Sequence, residues 1–196
     1  FHSWMKLQIV TARTGVAWVK EGIRTFWRQP LAVSGLFFVF LGLISLTSLL
    51  PYVGAFAGLI LLPTMSLGLM AASREAVLGK FPMPSVLFIG FREGPIQTQR
   101  MLLIGFCYAM LFCVMLALSS LFDGGEFARL YLLGGEINET IATDSRFQDA
   151  VMLSLLLYLP LSALFWHAPA LIHWHKQPVA KSLFFSIVAC ISNWRA

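Results

Sequence analysis

Four long stretches of this chain carry almost no polar side chain, and the residues between them carry almost all of its charge. Leu31–Leu50 holds no charged residue and takes thirteen of its 20 positions from Leu, Ile, Val and Phe. Each of those is worth roughly −0.3 to −0.6 kcal/mol at a helix centre, which sums to on the order of −4 to −8 kcal/mol toward insertion. Val53–Ser73 follows after only Pro51 and Tyr52. So short a link predicts an antiparallel helical hairpin with a tight turn. Met101–Leu121 and Ala150–Ile172 have the same character. Each run is close to the ~20 residues that cross a hydrocarbon core. The pattern predicts an all-α fold, a polytopic transmembrane helical bundle with spans at about 31–50, 53–73, 101–121 and 150–172.

A second pattern lies between the spans. In "GVAWVKEGIRTFWRQP", Val16, Val19, Ile23, Phe26 and Trp27 recur with helical period, while Lys20, Glu21, Arg24 and Arg28 fall toward the other side. A basic amphipathic helix with aromatic residues at its boundary suits the headgroup plane of a membrane. "PSVLFIGFREGPIQTQR" and "KSLFFSIVACISNWRA" also pass from apolar residues into a basic end. The expected organisation is one transmembrane domain, 1–196. It comprises an interfacial helix (1–30), a first hairpin (31–73) and a cytoplasmic interfacial segment (74–100). A second hairpin (101–172) with an acidic outer loop (122–149) follows, and then the start of a third unit (173–196). "LLPTMSL" (61–67) aligns with "YLPLSAL" (158–164), which sets Pro63 opposite Pro160. The simplest account is a duplicated unit, and a third copy beginning at 178 predicts that the natural protein continues with about two further spans.

Charge then orients the bundle. Segments 1–30, 74–100 and 173–196 hold twelve of the fourteen Lys and Arg, whereas 122–149 holds six of the nine acids. The basic side is expected to be cytoplasmic, with the N-terminus inside and the acidic loop outside. With only 12% charged and 58% hydrophobic residues, a soluble fold of this size is excluded. A nucleic-acid partner is not expected, because the positive charge is dispersed among membrane flanks and forms no single polar face. Cys107, Cys113 and Cys190 lie in apolar runs and suggest packing; they form no disulfide framework.

Candidate chemistry concentrates in "FWHAPALIHWHK", residues 165–176. His167 and His173 are six apart, about 120° out of register on a helix, and His173 and His175 fall nearly opposite. No helical pair here shares a face for a metal, and neither metal nor cofactor is expected. Trp166 and Trp174 fit an aromatic belt. His167 is, Tyr and Cys aside, the single ionisable side chain inside a span, which makes it a candidate functional residue. Pro63 and Pro160 interrupt corresponding spans and could free backbone groups for a solute. Gly54 and Gly58 form a small-residue pair that favours close helix packing. No carboxylate lies in a span and no phosphate-cradling glycine loop appears, so no catalytic residue is assigned.

"MKLQIVTARTGVAWVKEGIRTFWRQPLA", "FWHAPALIHW" and "KSLFFSIVACISNWRA" together resemble a family of uncharacterised multi-spanning bacterial inner-membrane proteins. The resemblance covers nearly the whole chain. It implies a start near Met5, with Phe1–Trp4 an extension, and further spans past residue 196, and it brings no activity. A more distant likeness is to the membrane portion of some glycerophosphodiesterases, without a catalytic motif. The function expected is a non-enzymatic accessory or scaffold subunit contacting lipids and other membrane proteins or itself. Trp18, Arg24, Trp27, Arg28, Trp166 and Trp174 are the expected interfacial contacts. The alternative is a small-solute or lipid transporter using Pro63, Pro160 and His167.

Overall fold

The computed structural model describes residues 8–47, 49–50 and 53–195, so the Pro51–Tyr52 link, His2 and the Phe1–Trp4 extension lie outside the described residues. Helix α1 (Ala12–Arg28) meets α2 (Pro30–Thr47) at a one-residue elbow, Gln29, with φ −145° and ψ 62°. Pro30 causes it: the ring bars the preceding residue from helical geometry and then starts a helix of its own. Helix α3 (Gly54–Val77) completes the first hairpin. A 3-10 helix, Pro84–Phe91, and α4 (Pro95–Asp123) follow. Gly94, at φ 95°, precedes α4, and Gly124, at φ 67°, ends it; a side chain at either position would be strained. Two short helices, α5 (Glu126–Leu133) and α6 (Glu139–Thr143), lead to α7 (Ser145–Trp166), α8 (Ala168–His175) and α9 (Val179–Ser192).

The fold is all-α, with no strand among the described residues. Four segments are long and apolar enough to cross a bilayer: α2, α3, α4, and α7 with α8 taken together. The sequence-predicted spans fall on these four, with α3 running on to Val77 and α4 starting at Pro95.

Helix α4 is the hub, packed on α3 along one side and on α7 along the other. Met101, Ile104, Tyr108 and Phe112 of α4 meet Leu59 and Leu67 of α3 and Leu161 and Phe165 of α7 in one buried cluster. In hydrocarbon such contacts stabilise through close packing, since lipid is as apolar as leucine. Small residues therefore decide where helices approach. A Cβ built on Gly105 would sit 2.0 Å from the Ile60 carbonyl oxygen, and one on Gly68 would sit 2.4 Å from Leu87 Cα.

These contacts set an uneven register. Gly105 faces Ile60, Phe106 stacks edge-on to Phe56, and Thr64 and Met101 both abut Gly90. The start of α3 is thus level with about residue 111 of α4, and α4 runs on past it for about 18 Å. Helix α5 folds back over that overhang, with Tyr131 5.1 Å from Phe112 and Phe127 6.1 Å from Phe147 between ring centroids.

Two segments carry packing that the sequence pattern does not show. Within 74–100, the 3-10 helix packs against α3, with Val86, Leu87 and Gly90 buried. Gly68 leaves the room for it. Within 122–149, α5 carries aromatic side chains onto the bundle, so that part of the acidic loop is folded against it.

Candidate functional site

The cation-rich end of the bundle gathers α1, the C-terminus of α3, the N-terminus of α4, and α8. Helix α1 has three sectors around its axis at about 100° per residue. Val16, Val19, Ile23 and Trp27 form a stripe left exposed among the described residues, with Trp27 71% exposed. Lys20, Arg24 and Arg28 lie beside it, and Glu21 reaches Arg24 at 3.5 Å. Gly22 and Thr25 make the third sector, turned toward α2 and α3. Thr25 is buried and donates its hydroxyl to the Glu21 carbonyl at 2.8 Å. Arg28 donates to the Val77 carbonyl at 3.2 Å, satisfying an end-group of α3 and tying the two helices together. Trp18 is exposed as well.

Between α1, α2 and α3 lies a groove of ≈220 Å³, lined by Gly22, Thr25, Phe26, Val33, Ser73, Arg74 and Val77. Its one charged lining residue, Arg74, also sits 5.8 Å from the ring centroid of Trp174, a cation–π contact that joins α3 to α8.

A polar knot closes the junction of α4 with α8. Gln97, buried, donates to the Ile172 carbonyl at 3.0 Å. Arg100 donates to the Lys176 carbonyl at 3.0 Å. Lys176 adopts left-handed geometry (φ 54°), and its ammonium pairs with the Glu93 carboxylate. The same carboxylate stands 3.5 Å from Nε2 of His173, a side chain only 3% exposed whose buried Nδ1 has no partner among the described residues.

His167 occupies a different setting. The helix breaks there, between α7 and α8, and its side chain is exposed. Its backbone N–H donates to Ser186 Oγ on α9 at 3.0 Å, and that hydroxyl donates to the Ala163 carbonyl at 2.7 Å. Ser186 is therefore inserted in the i→i−4 ladder, beside Pro169, whose missing N–H already weakens it. Of the three histidines in the stretch, His173 is the buried one, and the sequence had singled out His167.

The proline pair is not brought together. Pro63 is buried in α3, whereas Pro160 is on an exposed face of α7, and α4 stands between the two helices. Ser66 donates to the Pro63 carbonyl at 2.9 Å, and buried Thr64 Oγ1 has no partner among the described residues. Gly54 and Gly58 are both buried, and a Cβ on Gly58 would lie 2.8 Å from Thr47 Oγ1, so this contact is within the first hairpin. Trp166 and Trp174 are exposed. Among the described residues no three of His, Cys, Asp and Glu converge as metal ligands would.

At the acidic end a second groove, ≈430 Å³, is lined by Ala55, Phe56, Cys113, Ala128, Arg129, Leu132 and Leu133. Its cation is already engaged: Arg129 donates to Glu126 at 2.7 Å, which holds the guanidinium above its ordinary pKa.

Gln97, Arg74, Gly105 and Ser186 were not singled out in the sequence. Gln97 and Arg100 had one visible sign, being polar residues in "PIQTQR" at a span entrance. Ser186 had none, since its partners lie 19 and 23 residues away.

Over 192 residues the chain is 42% identical to a probable inner membrane protein of Burkholderia thailandensis, an overlap of 96% of this chain and 71% of that protein. No family model matches the chain, and no solved structure matches it.

Proposed function

We propose a function on one premise: the chain belongs to the family of that Burkholderia thailandensis inner membrane protein. The chain is an integral membrane protein of the inner membrane. Its role is that of a non-enzymatic accessory or scaffold subunit, which holds lipids of the cytoplasmic leaflet and neighbouring membrane proteins against its cation-rich end. The N-terminus is cytoplasmic in this reading, because that end carries most of the basic residues.

The observation that carries it is the three-sector geometry of α1. One sector packs on α3, one is cationic, and the third is an uncovered apolar stripe of Val16, Val19, Ile23 and Trp27. Left in water, four such side chains forgo a large part of the about 1.5–3 kcal/mol each that full burial would return. Sunk into the acyl boundary they recover it, while Lys20, Arg24 and Arg28 meet anionic headgroups. Trp18, Trp166 and Trp174 are further anchors at that level.

Nitroxide labels at positions 23 and 24 of the full chain in vesicles test this. Position 23 should be relaxed more strongly by oxygen and position 24 by a water-soluble nickel chelate. Equal response to the chelate at both positions would remove the interfacial helix, and the leaflet-holding role with it.

A further inference from the structure

We infer that the groove between α1, α2 and α3 is a binding site for one phospholipid headgroup, with Arg74 as the residue that takes its phosphate. The inference rests on the reading of α1 as an interfacial helix.

Position comes first. The groove sits in the elbow that Pro30 forces between α1 and α2, and Ser73, Arg74 and Val77 close it from the last turns of α3. On that reading this is headgroup depth. Charge comes second. The lining has one cation, Arg74, and no carboxylate, and Arg28 is anchored alongside on the Val77 carbonyl. Arg74 is in no ion pair among the described residues; its partner there is the face of Trp174, which leaves its in-plane N–H groups available. A guanidinium with free donors matches a phosphodiester bidentately. The hydroxyls of Ser73 and Thr25 in the same lining already donate to the Leu69 and Glu21 carbonyls, so the donors for a phosphate come from Arg74.

Shape comes third. The groove is small, ≈220 Å³, which suits a headgroup and is too little for acyl chains. The chains would leave the groove past Phe26 and Val33 into the hydrocarbon alongside the uncovered stripe of α1. That apolar exit favours a lipid over a free phosphate ion. The larger groove at the acidic end is the weaker candidate, because Glu126 already neutralises Arg129.

Gly22 makes the site testable. A Cβ there meets nothing within 4 Å, and Gly22 lines the groove, so a side chain placed there grows into it. The full chain is loaded from vesicles of phosphatidylethanolamine and phosphatidylglycerol, re-extracted in mild detergent, and the retained lipid is counted by native mass spectrometry. The wild type should keep one phospholipid. Arg74→Ala and Gly22→Phe should each lower its occupancy about tenfold, and Arg74→Lys by less. Gly42→Phe, at another open glycine, should keep it. Displacement by millimolar inorganic phosphate would overturn the lipid assignment. Unchanged retention in Arg74→Ala and Gly22→Phe, with the nitroxide pattern at 23 and 24 intact, would overturn the site and leave the interfacial helix standing. Loss of that nitroxide pattern would overturn both.

Discussion

The hydroxyl of Ser186 stands where the backbone of α7 would otherwise bond to itself, accepting from His167 N–H and donating to the Ala163 carbonyl. A side chain from one helix thus holds another helix broken. Ser186→Ala leaves both backbone groups without this partner in a region poor in water, and should lower stability by about 1–3 kcal/mol. Cys190→Ala should cost much less, since its thiol reaches the same carbonyl only at 3.7 Å. Unfolding in mixed dodecyl maltoside–SDS micelles measures both; equal losses would contradict the inserted-hydroxyl account.

Gly105→Ala should be among the most damaging single-methyl additions in the chain. Its Cβ would fall 2.0 Å from a backbone oxygen of α3, which cannot swing aside. The cost should reach or pass the upper end of the about 1–3 kcal/mol typical of overpacking. Gly42→Ala and Gly35→Ala, in open space on α2, should be neutral or slightly stabilising by the same micelle titration.

At the α4–α8 junction the neutral contact should outweigh the charged one. Gln97→Leu strands the Ile172 carbonyl in a buried setting and should cost about 1–3 kcal/mol. Glu93→Gln removes the anion facing both Lys176 and His173, but Glu93 and Lys176 are 39% and 56% exposed. Solvent screens that pair, and its loss should cost less than about 1 kcal/mol. The reverse order would show that the ion pair is the principal clamp.

Single cysteines at positions 80 and 136, with Cys107, Cys113 and Cys190 replaced by alanine, test the orientation. Glu136→Cys should react with an impermeant maleimide on spheroplasts, and Lys80→Cys only after lysis. Reaction of both from the outside would reverse or dismantle the assigned topology.

The four segments long and apolar enough to cross a membrane were legible because insertion depends on summed composition, and Leu31–Leu50 or Met101–Leu121 states that composition without any neighbour. The amphipathic stripe of α1 was legible for a similar reason: helical period is a local property. The inward path of Pro84–Phe91 was not, because its apolar composition fits a headgroup plane as well as a bundle, and what decides is Gly68 leaving space on α3. Helical spacing also ranked the histidines poorly. It treats residues 150–172 as one rod, and the break at His167 is held by a serine near the far end of the chain. Buried His173 became visible only once α8 had turned against Glu93.

Because α4 outruns α3 by about 18 Å at the acidic end, and α5 with its Glu126–Arg129 pair lies back over the overhang, a bilayer would meet a lower apolar edge beside the first hairpin than beside α7. Mismatch costs fractions of a kcal/mol per Å, and lipid yields more readily than a packed helix. A leaflet that followed those heights would sink beside the shorter hairpin and recover beside the taller one, a small dent in the membrane. Two copies, or a copy and a differently shaped neighbour, would lower the total deformation by sharing one depression. Assembly through that elastic pull needs no side-chain recognition between them.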